Sequence, residues 1–469
     1  MKRLSGADSF FLYAEGPTWT MHTGALVILQ PPEGKPFGLE QVRATLASRL
    51  HRVPEFTMTV RQVPLDLDRP LLVEDPNFNL DLHLHRIGLP RPGGDRELGD
   101  LIGDLVATPL DRRRPLWELW FVDGLSDGRV ALFAKVHHAL IDGVSGAGIA
   151  ELLCDLEPNP APDESTPPPA VPERAPHDLE LLARGALSAA RDPLRTAAWA
   201  LEASRRLIKS VRTARPVGGR TALDQAPKVP WVGVLGPLRR FAFCSVPLDD
   251  IKQVKQAHDV KVNDVVLATV SGALRRWLST RDALPSESLV ATVPMSLRSH
   301  DDMELGNKLT PLYASLATDI EDPIQRLKQI AANMRAAKEV GEALRATDIR
   351  TLSASVTPGL ANLAFRMLER TRAEAWLPMP SNLVVSNVPG APIPLYMARA
   401  RITAIHPVPP VTVSQGLNVT VMSYLDSVDF GFVVDRERIG DPWELTSHIR
   451  SALDELLESK RPRQRRKVD

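Results

Sequence analysis

Hydrophobic positions along this chain alternate between a period of two and a period near 3.6, and the changes of period mark its elements. Residues 21–29, 56–63, 80–87, 117–122 and 130–136 are short, apolar and rich in β-branched or aromatic residues, which predicts strands. The same signature recurs at 241–246, 289–293, 309–317, 383–386, 400–405, 417–424 and 429–434. Helical spacing appears between them. Leu39, Val42, Leu46 and Leu50 share one face, as do Leu98, Leu101, Ile102 and Leu105. Further helices are predicted over 248–256, 263–278, 323–340 and 442–458, the second with Asn263 as its N-cap. Ser5-Gly6-Ala7-Asp8 offers capping groups for a short helix ahead of the first strand. Strands and helices alternate in both halves of the chain, which predicts a two-domain α/β sandwich.

The strand at 130–136 runs into Lys135-Val136-His137-His138-Ala139-Leu140-Ile141-Asp142-Gly143. Period-two alternation places His138 on the face of Val130, Leu132, Ala134 and Val136. His137 falls on the opposite face with Ala131, Phe133 and Lys135, so the pair cannot point into one cavity. Gly143 permits a chain reversal that brings the Asp142 carboxylate back beside the strand end. The pattern suits a histidine base, His138, at the mouth of a cleft, with Asp142 bracing the turn and His137 in support. A metal site built from His137, His138 and Asp142 is not expected, because adjacent strand histidines diverge.

Composition adds boundaries. A chain of 469 residues exceeds one ordinary core. Between Pro158 and Pro176 eight prolines mix with Asp, Glu, Ser and Thr, which reads as an extended linker. A long segment over 178–213 follows, carrying Arg184, Arg191, Arg195, Arg205, Arg206, Lys209 and Arg212, either a solvated crossover helix or a basic surface for anionic membrane. The division expected is 1–157, 158–235, 236–459 and a basic tail at 460–469. Lys+Arg and Asp+Glu both total 57, so bulk charge selects no partner. The tail lacks an aromatic-interleaved platform, and no nucleic acid is expected. Two cysteines far apart, no apolar leader in 1–20 and no long apolar run lead us to expect a reducing cytoplasm and no membrane span.

The motif from His137 to Gly143 resembles HHxxxDG of the CoA-dependent acyltransferase superfamily, which includes chloramphenicol acetyltransferase and peptide-synthetase condensation domains. Other stretches are similar to the bacterial wax ester synthase/diacylglycerol acyltransferases. They include Leu4-Ser5-Gly6-Ala7-Asp8-Ser9-Phe10, Met21-His22-Thr23-Gly24, Pro115-Leu116-Trp117, Val262-Asn263-Asp264-Val265-Val266-Leu267-Ala268, Pro294-Met295-Ser296-Leu297-Arg298, Gly306-Asn307, Ser386-Asn387-Val388-Pro389-Gly390 and Leu417-Asn418-Val419-Thr420-Val421-Met422-Ser423-Tyr424. They run in family order over nearly the whole chain.

The resemblance implies two chloramphenicol-acetyltransferase-like domains with the reaction centre at their interface and tunnels from opposite sides. It implies acyl transfer from a fatty acyl-CoA, as substrate rather than bound cofactor, to a diacylglycerol or long-chain alcohol. His138 is then the general base. No GxSxG elbow is present, and no enzyme nucleophile is needed, because the thioester is already activated. Asp142 is expected to pair with an arginine, Arg298 or Arg61. Asn263, Asp264, Ser386, Asn387, Thr420 and Ser423 are the candidate oxyanion and substrate-binding groups of the second half. The expected location is cytoplasmic, against the inner membrane or lipid inclusions. Two other readings remain open at this point: a carrier-protein-dependent condensation-type enzyme, and a weakly catalytic lipid-binding or inclusion-coating protein.

Overall fold

The computed structural model describes residues 1–141, 152–160, 177, 179–183, 225–296, 309–345, 358–372, 379–412 and 414–458. The expected proline linker, most of the basic segment, Asp142, Gly143, Arg298, Gly306, Asn307 and the basic tail lie outside the described residues.

The first half carries strands β1 (Lys2–Arg3), β2 (His22–Gln30), β3 (Met58–Arg61), β4 (Leu71–Glu74), β5 (Leu84–Gly88), β6 (Trp117–Asp123) and β7 (Val130–His137). Its helices are α1 (Gly6–Ala14), α2 (Leu39–Arg49) and α3 (Asp95–Ala107). The second half carries β8 (Arg239–Pro247), β9 (Val290–Ser296), β10 (Leu309–Ser315), β11 (Leu383–Pro389), β12 (Tyr396–Met397), β13 (Ala400–Val408), β14 (Leu417–Tyr424) and β15 (Ser427–Asp435). Its helices are α4 (Leu248–His258), α5 (Val262–Ser279), α6 (Pro323–Arg345), α7 (Pro358–Thr371) and α8 (Trp443–Glu458).

Two six-stranded sheets organise the molecule, in the orders β12-β13-β2-β7-β6-β5 and β10-β9-β11-β14-β15-β8, beside a small sheet β1-β4-β3. The first sheet therefore includes β12 and β13, which lie between β11 and β14 in sequence. A sequential partition at 236 misses this exchange, because pairing register is a long-range property. β13 runs antiparallel to β2, from Arg401 opposite Gln30 to Val408 opposite Gly24. Its free edge is satisfied from the second sheet: the Ile405 N–H donates to Asp429 Oδ2 at 2.8 Å, while Ser245 and Ser427 donate to Oδ1 at 2.7 and 2.6 Å. Where β13 crosses β15, a Cβ on Gly431 would lie 1.7 Å from the Pro407 carbonyl oxygen. Only glycine allows that approach.

Helices α4, α5, α6 and α8 cover one face of the second sheet, around a core that includes Val266, Val270, Leu274, Val419 and Val421. Helix α3 fills the space between the first sheet and β8. There Gly99 and Gly103 meet the backbone of Phe241 and Arg239. The remaining faces of the two sheets look at each other.

Three expectations need correction. Asn263 is not the cap of α5: Lys261 holds the extended cap conformation, and Asp264 reaches back to accept the Lys261 N–H at 2.9 Å. Residues 80–82 form a 3-10 turn instead of a strand, because Asn79 accepts the Asp81 N–H at 3.0 Å. Strand β4 and helix α7 were not expected at all.

Candidate active site

The site starts at the end of β7. The His137 N–H donates to the Leu116 carbonyl at 2.9 Å, and the His138 N–H donates to the Met21 carbonyl at 2.8 Å. Pro115-Leu116-Trp117 and Met21-His22-Thr23-Gly24 thus hold the backbone of the two histidines from either side. Trp117 is itself wedged, stacking on Phe56 and donating to its carbonyl at 2.8 Å. Gly24 lets β2 close on β7, since a Cβ there would meet the Ala134 carbonyl oxygen at 2.3 Å.

Alternation along β7 then separates two environments. Leu132, Ala134, Val136 and His138 line a cavity of about 540 Å³ between the sheets, within the usual size of a small-molecule site. The facing wall is Val384, Ser386 and Val388 of β11 with Asn418, Thr420 and Met422 of β14. Phe11 of α1 stacks on the His138 ring, with centroids 4.1 Å apart and planes 11° from parallel. That helix is set by a capping box in which Ser5 Oγ accepts the Asp8 N–H at 3.0 Å, a contact of roughly 1 kcal/mol.

The other face of β7 buries a polar cluster. The His137 and His22 side chains, on directly paired positions of β7 and β2, both approach Glu15, which caps the end of α1. His22 Nε2 lies 3.0 Å and His137 Nε2 3.6 Å from Glu15 Oε1. Arg112 holds the other oxygen, with Nε and Nη2 at 3.0 and 2.6 Å from Oε2. Burial alone would raise the Glu15 carboxyl, but the His137 and His22 rings beside it outweigh burial and keep the group ionised far below the usual range. Burial drives His22 down to about 4 against the pull of Glu15, so His22 is neutral at pH 7. His137 Nδ1 accepts the Ala139 N–H at 3.0 Å, which leaves Nε2 as the protonated nitrogen facing Glu15. Lys135, only 1% exposed, donates to the Thr108 carbonyl at 2.6 Å beside Glu118.

The second-half candidates separate in the same way. Ser386 and Thr420, paired in parallel on β11 and β14, face the cavity. Asn387 turns away and donates to Asn263 at 3.5 Å. The Ser423 hydroxyl accepts the Gly390 N–H at 3.4 Å, and Asp264 is engaged as the cap of α5. Arg61 is exposed at the end of β3. His22 and Asn418 stand in the stretches that carry the resemblance but were not named as site groups, and Phe11, Glu15 and Arg112 were not singled out from the sequence. Asn418 was within reach, by counting two back from Thr420. The Glu15 cluster depends on the β2–β7 register and on where α1 ends.

The profile of the wax ester synthase/diacylglycerol acyltransferase catalytic domain matches residues 4–266, and that of the family's C-terminal domain matches 305–457. A Mycobacterium tuberculosis protein named as a diacylglycerol O-acyltransferase is 36% identical over 465 residues, covering 98% of this chain and 90% of its own. A similarly named Mycobacterium bovis protein is 36% identical over 456 residues, covering 96% and 97%. The solved wax ester synthase/diacylglycerol acyltransferase of Marinobacter aquaeolei VT8 superposes with a TM-score of 0.68 at 29% identity, covering 98% of this chain and 99% of that one. The trichothecene 15-O-acetyltransferase of Fusarium sporotrichioides shares the fold alone, with a TM-score of 0.61 at 12% identity over 98% and 95% of the two chains. The chain is an acyltransferase and belongs to the wax ester synthase/diacylglycerol acyltransferase family.

Proposed function

We propose that this protein transfers a fatty acyl group from acyl-CoA to the hydroxyl of a diacylglycerol or long-chain alcohol, with His138 as general base. The observation that carries this reading is one titratable ring, His138, on the wall of an apolar cavity walled by both sheets. An acyl chain and a lipid acceptor both need apolar walls, and the chemistry needs one base where they meet.

His138 accepts the hydroxyl proton as the acceptor oxygen attacks the thioester carbonyl. A positioned base of this kind is worth about 10²–10⁴ in rate. The tetrahedral oxyanion collapses by breaking the carbon–sulfur bond, and the departing thiolate takes the proton back from the His138 imidazolium. Ester and CoA thiol leave, and the base is restored. Of the cavity-facing groups on the opposite wall, the Thr420 hydroxyl is committed to Asn418 Oδ1 at 3.1 Å, so Ser386 is the better placed oxyanion donor. Cys154 also lines the cavity, but burial and Asp155 push its thiol up to about 12, which disfavours a thiolate nucleophile. The acyl group therefore passes directly from donor to acceptor, with no resident cofactor. The acceptor being a lipid, the protein works in the cytoplasm at a membrane or inclusion surface; among the described residues no helix is long and apolar enough to cross a membrane.

The test is purified protein given labelled palmitoyl-CoA with diolein and hexadecanol in competition, products separated by chromatography. His138→Ala is expected to lose about 10²–10⁴ of the rate. Full turnover by that variant would overturn the mechanism.

A further inference from the structure

Helix α7 presents two unlike faces. Inward, Phe365 packs edge-on against Phe10 of α1 at 5.3 Å, and the Asn362 amide donates to Asp66 at 2.8 Å. Outward, Leu363, Arg366, Met367 and Arg370 follow the i, i+3, i+4, i+7 spacing of a single helical face. Leu363 is 51% and Met367 60% exposed, and both arginines are exposed beside them. The elements packed against α7 add more apolar surface: Phe10 is 47% exposed, and Leu65 is 81% exposed on the loop that Asn362 grips. Scattered exposed apolar residues are ordinary, but a row of them alternating with arginines marks an interface.

The second observation is where this face leads. Phe10 belongs at once to the protein surface and to the wall of the cavity. It touches Phe11 at 5.8 Å, and Phe11 stacks on His138. Three aromatic contacts connect the outer helix to the cavity histidine.

Resting on the reading of the site as a lipid acyltransferase, we propose that the outer face of α7, with Phe10 and Leu65, is the surface on which the protein docks to an anionic lipid layer, and that the lipid acceptor enters past Phe10. The occupant follows from chemistry. Leu363 and Met367 sink below the headgroups while the arginine stems lie along the apolar boundary with their guanidinium groups at the phosphates. Over 358–372 three arginines stand against one glutamate, so the sign favoured is anionic. Docking here places the cavity opening on the lipid, and the acceptor need not cross water.

The experiment is flotation of the full chain with phosphatidylcholine vesicles, with and without phosphatidylglycerol. Wild type is expected to float with the anionic vesicles and to be released by salt. Arg366→Glu combined with Arg370→Glu is expected to weaken binding at least about 25-fold, taking roughly fivefold per basic residue at the surface. Leu363→Asp with Met367→Asp should weaken it by about tenfold for each side chain. Both double variants should keep wild-type transfer from a short acyl-CoA to a short water-soluble alcohol without vesicles. Undiminished flotation of both variants overturns the proposal, as does a wild type indifferent to anionic lipid. So does a wild-type dimer that Leu363→Asp with Met367→Asp dissociates, which would make this face a contact between copies. A wild type that floats as described but transfers no acyl group leaves docking supported and removes the catalytic reading.

Discussion

The two faces of β7 are built from one strand and carry opposite chemistry. Toward the second sheet, Leu132, Ala134, Val136 and His138 form a wall with one titratable ring. Behind it, His137, His22 and Glu15 form a buried cluster closed by the half-exposed Arg112, and Lys135 is held beside it by the Thr108 carbonyl and Glu118. A base that must gain and lose a proton needs an environment free to change charge. Buried charges that must hold a shape need their partners fixed. Placing the two on opposite faces keeps the fixed ion pairs out of the cavity that His138 lines.

The largest expected effect tests the cavity face. His138→Ala should lower turnover by about 10²–10⁴ while leaving the thermal midpoint near wild type, because its backbone bond to Met21 is kept. A large fall in melting temperature would show that the two faces are not separable in this way. The back face should respond in the opposite sense. Glu15→Ala leaves Arg112 without its carboxylate and removes the acceptor facing His22 and His137. Arg112 is half-exposed, so the cost is mainly that of the buried groups left without the Glu15 carboxylate, about 1–3 kcal/mol. Urea unfolding should show it, with the surviving folded fraction still active.

His22 gives the pH dependence. Its folded value, near 4, lies below the ordinary histidine range. Between that value and about 6.5 the unfolded chain binds a proton that the folded chain refuses. Stability is therefore full above about pH 6.5 and falls as pH drops toward 4, by up to roughly 3 kcal/mol for this one group. Replacing His22 by Gln should lower the number of protons taken up on unfolding in that window by about one, measured from urea midpoints across pH. An unchanged pH slope would mean that the ring is not held neutral. Other buried histidines, His406 among them, contribute slope in the same direction and remain in the variant.

Much of the cavity face was legible in the sequence because strand periodicity is local. Counting by two from Val130 reaches His138, and the same count separates His137 from it. The back face was not legible. Glu15 ends a helix, His22 begins a strand, Arg112 sits in a loop, and only β2–β7 register brings them together. The exchange of β13 into the first sheet escaped for the same reason. Helix α7 is a different case: Pro358 at its start and the Leu363–Met367 spacing were local signals, passed over because arginines interrupt the apolar stripe. Asn263 misled as a cap because Asp264, one residue on, has the reach to take the Lys261 N–H.

The smallest effect is the sharpest check on alternation itself, carried to the opposite wall. β11 repeats the arrangement of β7, with Ser386 toward the cavity and Asn387 toward Asn263 of α5. Both stand in one family motif, and motif membership alone makes them equal candidates for the oxyanion. Geometry does not. Asn387→Ala loses a single long hydrogen bond, worth less than about 1 kcal/mol of stability, and should leave turnover at the wild-type level. Ser386→Ala leaves stability alone and should lower turnover with little change in KM, as loss of an interaction made mainly in the transition state does. If steady-state kinetics instead show Asn387→Ala to be the more damaging change, the amide reaches the reaction through Asn263, and alternation on this wall does not decide which groups meet the substrate.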